Sequence, residues 1–239
     1  MKPTPGVHFV TIDFDYFNDW KREVRDTFPP ISDGSLGAAP DNKLWINFPG
    51  NRRFIAKSGD HFSGDKFDAI LSAFRMRFER GLDIREAFTS ENHGYAAIAV
   101  DKVTERHPDS KLFVYNIDYH HDFSYCGSEI RCDNWLRLVQ EKYPESDCSW
   151  CGRKDSLTTS FGEEVPVKRV NLDYLCSVIM TEPNLYVHLC RSDLYSPPAY
   201  DWAFMKLCDF FKNYCKLVYP FEPIEHFRFD SIPEAFIHD

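Results

Sequence analysis

The 239-residue chain carries 37 Asp and Glu against 28 Lys and Arg, a formal charge of -9, which argues against a general binder of nucleic acid or of an anionic membrane. A hydrophobic content of 43%, with 21 Phe and 12 Tyr, argues against a disordered chain. No stretch reaches the length of a membrane span and the first residues lack an apolar signal region, so a cytoplasmic protein folding as a single domain over residues 1–239 is expected.

Val7 to Asp15 reads as a buried strand that ends in alternating acids, Asp13 and Asp15. Asp15 either caps the segment that follows or lies, with Asp13, beside a functional site, because parallel strands share one carboxyl edge. Residues 28–41 are rich in Pro, Gly and Ser and read as a long loop, a lid or part of a binding groove. Residues 43–48 form a short strand candidate. Asp65 to Arg80 places apolar residues close to helical spacing, and Ile84 to Thr89 is a further strand candidate. A helix is predicted to start just after His93 and run to Arg106, where His107-Pro108-Asp109-Ser110 turns the chain.

The stretch from Lys111 to Asp122 is the most informative. An apolar run ends abruptly in Asp118-Tyr119-His120-His121-Asp122. On an extended segment, residues i, i+2 and i+4 point the same way, so Asp118, His120 and Asp122 are expected to converge at a strand's carboxyl end. Two carboxylates and an imidazole are hard to borderline donors, which suits a divalent metal such as manganese or zinc.

A helix from 134 to 140 follows, and then a polar, turn-rich segment at about 144–162, read as an insertion containing Cys148-Ser149-Trp150-Cys151-Gly152. That C-x-x-C-G is half of a zinc ribbon, although among eight cysteines in a cytosolic setting reduced thiols are the leading reading. Apolar runs at Val165–Val170 and Asn184–Cys190 follow, the second leading into Arg191-Ser192-Asp193. A helix is predicted from about Asp201 to Lys216, burying Phe204, Leu207, Cys208, Phe211 and Tyr214.

In this order, His93 opening a helix, Asp118-x-His120-x-Asp122 at a strand end, and Asp193 four residues before Pro197 resemble the arginase and ureohydrolase superfamily. The likeness is closest over residues 90–122 and extends to about 198. Within it, the chain is most similar to the arginase-like peptide-modifying enzymes of ribosomal peptide pathways, which turn peptidyl arginine into ornithine. The resemblance implies an α/β fold, a three-layer αβα arrangement with a largely parallel sheet, and a dinuclear manganese site. By that implication His93, Asp118 and Asp122 hold one ion, while Asp118 bridges to a second that carries His120, with Asp193 as a further carboxylate.

One departure stands out. Two residues before Asp193, where the family has an acid, this chain has Arg191. Either Asp193 bridges through a shifted register, or the second ion is weak or lost. Deacetylases of the same fold use a single zinc.

The expected activity is metal-dependent hydrolysis of an arginine guanidinium to ornithine and urea, on a peptide substrate. Free arginine or agmatine, or an amide deacetylase reaction, are the nearest alternatives; a non-catalytic binding protein on this fold is the alternative of another class. A guanidinium keeps its charge at any ordinary pH, so acids must offset it; Asp13 and Asp15 are the candidates, with Glu129, Glu222 or Glu225 behind them. No position matches the family's proton-shuttling His or its guanidinium-binding Glu; His121 could serve as a shuttle, but strand alternation turns it away from its neighbours' face. Nothing in the sequence fixes an oligomeric state.

Overall fold

The computed structural model describes residues 6–19 and 61–218, apart from 126, 161, 193–195 and 197–199. Nine strands and five α-helices lie within this range. Strand β1 (Val7–Asp13) runs into a 3-10 turn at Phe14–Phe17; helix α1 (Gly64–Glu79), β2 (Ile84–Ser90), α2 (Tyr95–Arg106) and β3 (Leu112–Ile117) follow. Then come α3 (Trp135–Lys142), β4 (Asp147–Cys151), a small hairpin of β5 (Thr159–Ser160) with β6 (Glu163–Glu164), and β7 (Lys168–Arg169). Helix α4 (Leu172–Thr181), β8 (Leu185–Cys190), α5 (Asp201–Lys212) and β9 (Leu217–Val218) complete it.

Seven strands form one sheet in the order β7-β4-β3-β1-β8-β2-β9, and each pairing between neighbours is parallel. Parallel strands need crossovers, and here helices supply most of them, which covers both faces of the sheet. Residue parity along β1 divides the core. Val10 and Ile12 face a layer built by α1, α4 and α5, whereas Val7 and Phe9 face α2 and α3. Helix α1 meets its layer through Phe67, Ile70, Leu71 and Phe74, and α5 through Phe204, Leu207, Cys208 and Phe211, both at i, i+3, i+4, i+7. Each such side chain, almost wholly buried, contributes about 1.5–3 kcal/mol by leaving water.

After β1 the chain moves through α1 to β2, on one side of β1; after β3 it moves through α3 to β4, on the other. The carboxyl ends of β1 and β3 therefore flank a point where the winding reverses, and a crevice opens there in such sheets.

Several expectations change. The segment read as a Cys-containing insertion at 144–162 supplies β4, which lies within the sheet between β3 and β7. Cys148 joins the core on the α2–α3 side and Cys151 the core on the opposite side. Two thiols on opposite faces of one strand cannot bind one ion, so a zinc ribbon is excluded. Helix α4 is additional to the predicted elements; Asn171 caps it, its side chain accepting the Tyr174 N–H at 2.8 Å. Helix α5 stops at Lys212, before Tyr214, which is 51% exposed rather than buried. The expected loop at 28–41, the strand at 43–48, and Asp193, Glu222 and Glu225 lie outside the described residues.

Candidate metal centre

Strands β1 and β3 pair with Ile12 opposite Ile117, so Asp13 and Asp118 sit side by side at the sheet's carboxyl edge. Both fall on the face toward α2, as Phe9 and Val114 do. His93, just ahead of α2, reaches into the same space. Its Nδ1 lies 3.3 Å from Asp13 Oδ2, 3.1 Å from Asp118 Oδ2 and 2.7 Å from Asp122 Oδ2.

Asp118, His120 and Asp122 do meet, but not as alternate residues of an extended strand. Strand β3 ends at Ile117, and the chain bends at once. The His120 N–H turns back to Asp118 Oδ1 at 2.9 Å, and the His120 ring swings to Asp15, with Nδ1 2.9 Å from Oδ2. Asp122 takes a left-handed conformation, φ 52°, which costs a non-glycine residue energy and is tolerated best by Asn and Asp. The contacts that hold it there come from α3: the Leu136 N–H reaches its carbonyl at 3.1 Å, and Trp135 Nε1 donates to Oδ2 at 2.6 Å.

The remaining acids are also built in. Asp15 Oδ1 accepts the Tyr119 N–H at 3.3 Å. Trp150, on β4, donates Nε1–H to the Asp118 carbonyl at 3.0 Å, and a Cβ at Gly152 would collide with that indole, so glycine is required there. Two sets of donor atoms thus lie close enough to share an ion, Asp13–His93–Asp118 and Asp15–Asp118–His120, each within 4.8 Å. Asp118 belongs to both.

The electrostatics make this cluster expensive without a cation. Asp13, Asp15, Asp118 and Asp122 are all at most 3% exposed. Burial, and then the neighbouring acids, push Asp13 and Asp118 well above the usual carboxylate range; burial pushes Asp122 up to about 7. Burial works against the charged form of His93, but Asp13 and Asp118 outweigh it and raise its pKa. For His120 close packing likewise favours the neutral ring, yet Asp15, followed by Asp118 and Asp122, pushes it up to about 10. Its side chain is still 44% exposed, so it forms the accessible end of the cluster. Asp13 Oδ1 is buried with no hydrogen-bond partner, an arrangement that a bound cation relieves. Oxygen and imidazole donors in this number fit a divalent metal ion.

The predicted site residues divide as follows. His93, Asp118, His120 and Asp122 come together. Asp13 and Asp15, expected to receive a substrate guanidinium, lie in the same cluster, each within one of the two donor sets that could hold an ion. His121 faces away: its Nδ1 accepts the Phe123 N–H at 2.9 Å, and its ring meets Trp150 edge-on. Glu129 is exposed. Arg191 is buried and pairs with Asp201 at the start of α5, with Nε at 2.7 Å and Nη2 at 2.5 Å from Oδ1.

Sequence reasoning missed the supporting residues Thr11, Ser90, Trp135, Trp150 and His188. His188 alone left a signal, as the one imidazole in an otherwise apolar strand. No family model, curated protein or solved structure matches this chain.

Proposed function

We propose that this protein is a metal-dependent hydrolase that binds two manganese ions and cleaves the guanidinium of arginine, within a peptide, to ornithine and urea. The observation that carries the metal part is the sharing of Asp118 between two buried donor sets, with the orphaned Asp13 oxygen beside them. The guanidinium part is supported by the order His93, Asp118-x-His120-x-Asp122 and its likeness to the ureohydrolases.

In this reading Asp13, His93 and Asp118, with Asp122 against His93, hold one ion, and Asp15, Asp118 and His120 hold the other. Divalent ions there would supply Lewis acidity and a water acidified enough to act as a nucleophile at neutral pH. The chain contributes the rest. Asp13 at the end of β1 and Asp15 in the turn after it supply further carboxylates, so in this reading Arg191 is no obstacle to two ions. His120, at the exposed end, is the imidazole nearest an entering substrate. The excess of buried acid attracts a cation such as guanidinium, whose pKa is too high for it to enter neutral.

The test is incubation of arginine-containing peptides with chelator-stripped and manganese-loaded protein. Urea release and a mass loss of about 42 Da per arginine, only with the loaded protein, are expected from hydrolytic loss of the amidine carbon. Metal uptake with acetate release from acetyl-lysine peptides instead would replace this activity by deacetylation, and no metal uptake would favour a binding protein.

A further inference from the structure

We propose that Ser90, His188 and Thr11 form a hydrogen-bonded chain that sets the tautomer of His93, turning its Nδ1 lone pair toward Asp13, Asp118 and Asp122; Thr11 and His188 are then positioning residues for metal binding. This rests on the metal reading above.

The protons available along four side chains fix the direction of each hydrogen bond. Ser90 Oγ lies 2.9 Å from the Asn92 carbonyl and 2.8 Å from His188 Nε2. A carbonyl only accepts, so the single Ser90 proton goes to Asn92, and Ser90 must accept from His188 Nε2–H. His188 is fully buried and its two nitrogens meet the hydroxyl oxygens of Thr11 and Ser90 rather than carboxylates, a setting that suits a neutral ring, one nitrogen donating and the other accepting. With its proton on Nε2, His188 Nδ1 is an acceptor and takes the Thr11 hydroxyl proton across 2.8 Å. Thr11 has then spent its only proton, so at 2.8 Å from His93 Nε2 it accepts from a ring N–H. The His93 nitrogen fixed as N–H is Nε2. The one left for a metal is Nδ1, the atom within 3.3 Å of all three carboxylates.

The fold makes the chain possible. Thr11 and His188 are directly paired in the β1–β8 register, and Phe88 on β2 pairs with His188 from the other side. The His93 and His188 rings stack nearly parallel, 7° apart, with centroids at 5.9 Å. A fixed tautomer spares the ion the cost of reorienting its ligand, and partners of this kind typically govern 10- to 100-fold in metal affinity.

The test uses the full chain, stripped with chelator and titrated with manganese against a competing chelator dye, together with ring-nitrogen NMR of histidine-labelled protein with and without zinc. In wild type, His188 should carry its proton on Nε2. His93 should keep Nε2–H when zinc binds, with the metal-induced shift on Nδ1. Thr11→Val should weaken manganese binding about 10- to 100-fold, and Thr11→Ser should restore it, which a purely steric role of the side chain would not produce. Should Thr11→Val fail to fold, the wild-type spectrum decides, since a proton on His188 Nδ1 overturns the proposal. Manganese affinity unchanged in a folded Thr11→Val overturns it as well. A wild-type chain that takes up no ion overturns the metal reading and this proposal together.

Discussion

Trp135 donates its indole N–H to Asp122 Oδ2 at 2.6 Å, and the same oxygen lies 2.7 Å from His93 Nδ1. A helix on the α2 side of the sheet thereby fixes a carboxylate that the strand end alone leaves in an unfavourable left-handed conformation. Trp135→Phe keeps the buried ring and removes the donor. Metal affinity should fall about 10-fold or more, as with other hydrogen-bond partners of ligands, with a smaller loss of thermal stability. Chelator competition measures the first and a melt the second; unchanged affinity would show that Asp122 needs no such support.

The shared position of Asp118 separates the carboxylates by their effect on stoichiometry. Asp118→Asn should abolish uptake of both ions, because it serves both donor sets. Asp15→Asn should cost the ion associated with His120 and spare the one at His93, taking bound manganese from two per chain to one. Elemental analysis after desalting reads these directly. A full complement of metal in Asp118→Asn would remove the centre from these residues.

The protonation of the cluster sets a pH dependence with a definite sign. In the metal-free chain Asp122 is held at about 7, above its ordinary 3.8, so the folded state binds that proton more tightly than the unfolded state. Its contribution to stability therefore falls as pH rises from about 4 through 7. His120, pushed up from 6.5 to about 10, contributes fully below 6.5 and loses that contribution as pH rises toward 10. Both slope the same way. A bound cation needs these groups deprotonated and reverses the trend. The gap in melting temperature between manganese-loaded and stripped protein should widen steadily across neutral pH. A constant gap would contradict the placement of the metal among these groups.

Cys148 and Cys151 face opposite cores from one strand. Serine at either position should leave metal content untouched and lower stability by about 1–3 kcal/mol through burial of a hydroxyl. Loss of bound zinc in either variant would restore the ribbon.

The elements that were legible in the sequence are those with apolar residues at helical spacing or in an unbroken run. Helix α1 and strands β1, β3 and β8 owe their places to such runs, and the acids that end β1 and β3 were visible because charge follows an apolar stretch abruptly. What the sequence hid depends on chain reversal. Whether Asp118, His120 and Asp122 converge along a strand or around a bend cannot be read from spacing two. That Asp13 and Asp15 join the cluster depends on β1 lying next to β3, a pairing across about a hundred residues. Strand β4 escaped because Asp147-Cys-Ser-Trp-Cys151 alternates nothing recognisable; it is buried on both faces by its neighbours. The same holds for Thr11, an ordinary residue until the sheet sets it beside His188.

Arg191 is the residue at odds with the expected ureohydrolase pattern, and the fold gives it a structural occupation. The guanidinium is buried and meets Asp201 through both Nε and Nη2, while the Arg191 N–H donates to the Ser90 carbonyl at 2.9 Å. The pair therefore joins the end of β8 to the first turn of α5, where Asp201 also suits the helix dipole. Were position 191 simply a lost ligand, Arg191→Asp would restore the acid and strengthen metal binding. The geometry leads to the opposite outcome. An aspartate there would face Asp201, leave its charge without the guanidinium and destabilise the fold by about 3–5 kcal/mol, the range for breaking a buried ion pair. Arg191→Lys should retain part of the attraction and lose the two-pronged contact, falling between the two. Thermal melts of the metal-free variants rank these effects without reference to activity, and an Arg191→Asp chain that is as stable as wild type with tighter manganese binding would return position 191 to the metal centre.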